Sequence, residues 1–123
     1  MIGCSFDPST VDQAIDEHFR RCLDATAYFA TNDSLGLSII RIAAEHGLQT
    51  PKDISVVGFD DAPFVQHMSP MLTSFVVNMD TIAETAMRQL IRLISGESVK
   101  KVSMPPKMVL RESTAAMRSV AER

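Results

Sequence analysis

The stretch from Ala27 to Phe59 constrains this chain more than any other feature. Ala27-Tyr28-Phe29-Ala30-Thr31 is short, apolar and partly aromatic, the pattern of a strand buried on both faces. A helical pattern follows from Ser34 to His46, with Leu35, Ile39, Ile42 and Ala43 on one face. Gly47 suits the position just past a helix end, because glycine takes the left-handed conformation at low cost. Pro51 resists any continuation of the helix. Ile54 to Phe59 is rich in β-branched residues and reads as a second strand. A unit this compact implies two parallel strands joined by a right-handed crossover.

The flanks extend the same alternation. Val11, Ala14, Ile15, Phe19 and Leu23 form one stripe of a first helix, with Ser9 as N-cap and Asp12 three residues on. Phe64 to Met68 fits a short helical turn. Thr73 to Asn78 reads as a third strand, and Asp80 as the cap of a long helix from Asp80 to Ser95. Ile82, Ala83, Ala86, Met87, Leu90, Leu93 and Ile94 give that helix a wide apolar face, and Gly96 ends it. Lys100 to Val102 is weakly strand-like, and Met108 to Leu110 is a final short strand. The expected class is α/β: a three-layer αβα arrangement with a mainly parallel sheet.

Composition narrows the function. The net charge of −3 argues against this chain alone gripping a phosphate backbone. No apolar run approaches the ~18 residues of a membrane span. The opening residues lack the basic and then apolar pattern of a secretory signal. Cys4 and Cys22 do not make a disulfide framework. A reducing, cytoplasmic setting fits these features.

Ligands of open parallel α/β sheets bind beyond the carboxyl ends of the strands. Asn32 and Asp33 follow the first strand, and Asp60 and Asp61 the second. Carboxylates accept hydrogen bonds while an Asn amide both donates and accepts, a mixture suited to a ligand with several hydroxyls or amines. The plainer roles are local: Asp33 can cap the helix from Ser34, and Asp60 can serve a turn. His18 and Cys22 stand four residues apart on a helix, but no further ligands accompany them and no metal is expected. His46, in a last helical turn, complements the helix dipole. The methionines fall mostly at apolar positions, as core or interface filler. No glycine-rich phosphate loop or nucleophile elbow is present, so neither cofactor nor catalytic residue is assigned. A phosphoacceptor domain would need a Lys at the end of a later strand, and Thr73 to Asn78 ends without one.

Four stretches carry a family resemblance: Ala25 to Asp33 (ATAYFATND), Gly47 to Asp61 (GLQTPKDISVVGFDD), Ser69 to Ser74 (SPMLTS) and Pro106 to Thr114 (PKMVLREST). In this order and spacing they resemble the C-terminal part of the effector-binding domain of LacI/GalR transcription regulators. That domain has the type I periplasmic-binding-protein fold. The resemblance implies effector contacts at Asn32 and Asp60, the effector being sugar- or nucleoside-like. Val77 and Met79 match cleft positions where the family more often has a Gln and a varied residue, which implies a less polar wall. Leu37, Met68 and Ser69 match homodimer positions, and Leu37 falls outside the core stripe of its helix.

The resemblance also divides the chain. Residues 1–78 correspond to part of the C-terminal lobe. Residues 79–106 correspond to a segment of the N-terminal lobe, and 107–123 return to the C-terminal lobe and a tail. The chain then starts inside the second lobe, and DNA contact falls to an N-terminal helix-turn-helix outside it. The expectations are a homo-oligomer, weak or no effector binding by this chain alone, and no membrane association. A fragment of a periplasmic-type sugar-binding transport protein is the alternative.

Overall fold

Strands β1 (Ala27–Phe29), β2 (Ser55–Phe59) and β3 (Thr73–Val76) pair in parallel, and β4 (Lys107–Val109) closes the sheet antiparallel to β3. Helices α1 (Pro8–Arg21), α2 (Asp33–Glu45) and α3 (Met79–Ile94) and a 3-10 turn (Pro63–His67) complete the order α1-β1-α2-β2-turn-β3-α3-β4. This computed structural model describes residues 8–21 and 24–116. Cys4, Cys22 and Leu23 lie outside the described residues.

Side chains alternate across a strand, so the register sorts them by face. Tyr28, Val56, Gly58 and Ser74 share one face; Ala27, Phe29, Val57, Phe59 and Phe75 share the other. The first face is the core side. Val56 packs with Ile39, Ile42 and Ala43 of α2 and with Ile15 and Phe19 of α1, all buried. The Phe19 ring stands 5.4 Å from that of Tyr28. Each large apolar side chain buried here contributes roughly 1.5–3 kcal/mol. The alternation of buried Val56 and Gly58 with half-buried Ser55, Val57 and Phe59 shows which face of β2 the helices cover.

The mixed, mostly parallel α/β sheet agrees with the sequence expectation. The described residues build two of the three expected layers: α1 and α2 lie on one face, and no helix packs extensively on the other. β1 therefore corrects the reading of a strand buried on both faces. It is an edge strand, and Phe29 is 61% exposed. The third helix makes no extensive contact with another helix or strand and buries no residue.

Smaller corrections follow from hydrogen bonding. Ser9 lies inside α1 rather than capping it. Asn32, not Asp33, caps α2, its Oδ1 accepting from Leu35 N at 2.8 Å. Asn78, not Asp80, caps α3, accepting from Thr81 N at 2.9 Å, and so leaves β3 two residues shorter than expected. Lys100 to Val102 forms no strand. Gly47 and Gly96 hold φ of 79° and 78° just past α2 and α3, where a Cβ would be strained.

Candidate functional site

Because β1 and β2 are adjacent and parallel, their carboxyl ends put Asn32 and Asp60 side by side. The end of β3 adds Val77, half-buried, and Met79, 70% exposed at the start of α3. These are the four residues the sequence reading placed at a ligand.

Each polar group of this rim has a distinct environment. Asn32 Oδ1 is occupied by the α2 cap, which leaves its Nδ2 as a donor. Asp33 is 1% exposed. Its Oδ2 accepts from Ala62 N at 2.6 Å and its Oδ1 from Ser74 Oγ at 2.5 Å. Asp61 pairs with Arg111, Nη1 to Oδ1 at 2.6 Å, both side chains largely shielded. Arg111 Nη1 donates its hydrogen bond to Leu72 O at 2.8 Å, so its contact with Asp61 is an ion pair without hydrogen-bond geometry. Asp60 alone of the three aspartates carries no side-chain partner among the described residues, and it is exposed. Among the described residues the rim therefore offers one unengaged carboxylate and one amide donor.

The backbone there is unusual. Asp60 and Asp61 hold φ of 101° and 51°. Left-handed conformations at non-glycine residues cost of order 1–3 kcal/mol each and persist only where surrounding bonds over-determine them. Asp60 N donates to Phe75 O at 2.9 Å and Asp61 N to Ser74 Oγ at 3.2 Å. Sequence reasoning missed the supporting roles of Asp33, Ser74 and Arg111. Arg111 stands inside the PKMVLREST stretch, but only the sheet order brings it to Asp61.

The three positions matched to a dimer surface also come together. Leu37, Met68 and Ser69 line one groove of about 650 Å³, with Ile40, Ala44 and Pro70. Leu37 is half-buried and also packs against the core, which corrects its reading as lying wholly outside it. A larger hollow of about 1160 Å³ lies near the opposite ends of the strands, against Thr26, Ala27, Ser55 and Leu110. His18 Nε2 lies 3.1 Å from Tyr28 Oη, so this ring nitrogen has a structural partner. No helix among the described residues is long and apolar enough to cross a membrane.

Comparison with known proteins gives a family model described as a periplasmic binding protein-like domain, matched over residues 5–114. The HTH-type transcriptional regulator MalR of Streptomyces coelicolor is 37% identical over 95 residues, 76% of this chain and 28% of that protein. A Lac repressor dimer bound to operator and the anti-inducer ONPF superimposes with a TM-score of 0.82 at 28% identity, over 92% of this chain and 40% of that one. The CelR–cellobiose complex gives 0.77 at 29% identity, over 89% and 34%. The chain thus spans about a third of the length of the curated relatives it matches.

Proposed function

Since the chain belongs to the periplasmic-binding-protein-like domain family, in the part that corresponds to the C-terminal portion of LacI-type effector domains, we propose that it is the ligand-sensing and dimerising portion of an effector-responsive transcription regulator. The observation that carries this reading is the rim itself. Over the segment that matches the family, two adjacent strand ends present Asp60 unengaged beside the amide of Asn32.

In this reading a sugar- or nucleoside-like effector donates hydroxyls to Asp60 and accepts from Asn32 Nδ2. Val77 and Met79 supply an apolar wall. Residues 1–78 and 107–123 form one lobe, and 79–106 a piece of the other. The lack of extensive contact between α3 and the remaining helices and strands supports that division. A ligand between lobes favours one arrangement and so shifts affinity for DNA at a distant site. Operator contact falls to a helix-turn-helix unit of the kind the relatives are named for, not to this chain, whose net charge is −3. The groove at Leu37, Met68 and Ser69 takes a second copy, no catalysis is involved, and the setting is the cytoplasm. The transport-protein alternative is disfavoured, because the relatives named above are transcription regulators.

The test is amide NMR of the isotope-labelled chain during titration with cellobiose, ribose and adenosine. Weak binding that moves the amides of Asn32, Asp60 and Val77 is expected. No response there to any of the three, or responses confined to the hollow beside Thr26, overturns the proposal.

A further inference from the structure

Asp33 has no access to solvent and no place in the ligand contacts above, yet its carboxylate sits at the point where the rim loop is built. Three consecutive amides leave β2 with nothing in the sheet to bond them all. Asp60 N reaches Phe75 O. Asp61 N reaches Ser74 Oγ, and Ala62 N reaches Asp33 Oδ2. Ser74 Oγ in turn donates to Asp33 Oδ1, so Asp33 fixes the hydroxyl in the rotation that leaves a lone pair for Asp61 N. One buried carboxylate thereby holds Ala62 directly and Asp61 through one intermediary. Gly58 is the space this requires: a Cβ there would stand 2.2 Å from Asp33 Oδ1.

We infer that Asp33 is a positioning residue of the effector rim: it stabilises the left-handed conformation of Asp60 and Asp61 and so points the unengaged Asp60 carboxylate outward. The role follows from bookkeeping among the acidic groups. Asp61 is neutralised by Arg111 and Asp33 is consumed by the loop, so the geometry leaves a single carboxylate to face a ligand. Asp33 touches no ligand; it acts through Ser74 and the Ala62 amide. This inference rests on Asp60 being a ligand group, but its conformational half does not.

Two variants of the 123-residue chain test it. Asp33→Asn keeps the shape of the side chain and presents an N–H donor to one of the two partners. Ser74→Ala removes only the intermediary, and serves if Asp33→Asn fails to fold. Amide shifts of Ile39, Ile42 and Val56 report whether the core is retained. The expected result is that backbone couplings and shifts of Asp60 and Asp61 leave the left-handed region while those core amides stay. With whichever of cellobiose, ribose and adenosine moves the wild-type rim, the variants should bind about tenfold more weakly. Asp60 and Asp61 remaining left-handed in a folded variant overturns the inference, as does unchanged binding of a probe that engages the wild type. If no probe moves the wild-type rim, the ligand reading falls, and the couplings still decide whether Asp33 sets the loop.

Discussion

A hydrogen atom is all that Gly58 can carry. A methyl there would meet Asp33 Oδ1 at 2.2 Å and Leu72 Cδ2 at 2.8 Å, and the carboxylate cannot yield without losing Ala62 N and Ser74 Oγ. Gly58→Ala should therefore cost about 3 kcal/mol, combining overpacking with disrupted buried hydrogen bonds, as read from urea unfolding. A second residue pair gives a pH dependence. His46 Nε2 lies 2.8 Å from Asp16 Oδ1. That hydrogen bond lowers the Asp16 carboxyl below its ordinary 3.8, with help from Arg20 and against some desolvation. The folded value lies below the unfolded one, so the contribution is present above 3.8 and is lost as pH falls through the lowered value. Asp16→Asn should be slightly less stable than wild type at neutral pH, the gap closing in acid; urea midpoints across pH measure it. At this scale the sequence shows which residues crowd a strand end but not how they divide the work. Asn32 and Asp33 both fit a cap and both fit a ligand. Only the start of α2 at Asp33 makes Asn32 the cap and turns Asp33 inward.

The helices were legible because their apolar stripes repeat at helical spacing, and of those stripes the first buries Ile15 and Phe19 and the second Ile39, Ile42 and Ala43, with Val11 and Leu35 partly buried. Their ends depended on one hydrogen bond each. Replacing Asn32 by Ala removes the α2 cap and should cost about 1 kcal/mol, with weaker binding of any effector that uses the same amide. Asn78→Ala should loosen the start of α3 by a similar amount, visible as faster amide exchange at Thr81 with little change in the core. The strands were less legible where pairing decides. Lys100 to Val102 has the composition for a strand but no ladder beside it, while Lys107 to Val109 finds β3. Phe29 carries a core residue's chemistry on an edge strand whose outer face no helix covers. Hydrophobicity records that a side chain needs burial, not which element provides it.

Over the whole molecule, the mostly parallel sheet and its carboxyl rim followed from the β-α-β unit, since parallel neighbours must bring their carboxyl ends together. The open sheet face did not, because periodicity along one element says nothing about a layer's presence, whereas the sparse packing of α3 accords with the resemblance, which assigns residues 79–106 to the other lobe. The groove between α2 and residues 68–70 gives a prediction at this scale. Met68 is 43% exposed on its wall. Met68→Glu would place a carboxylate against Leu37 and Ile40, and should shift the proposed dimer to monomer in sedimentation equilibrium without unfolding the chain. An unchanged mass would move the interface elsewhere.

The segment after β4 is bound into the middle of the sheet. Ser113 Oγ donates to Val56 O and accepts from Thr73 N, and its carbonyl takes Val56 N. Arg111 reaches both Asp61 and Leu72 O. On the ribosome, β2 and β3 must therefore wait, with Thr73 and Val56 lacking these partners, until the chain has been made beyond Ser113. The rim loop acquires its final ion pair only then, so a half-synthesised chain would hold the strands without the finished site.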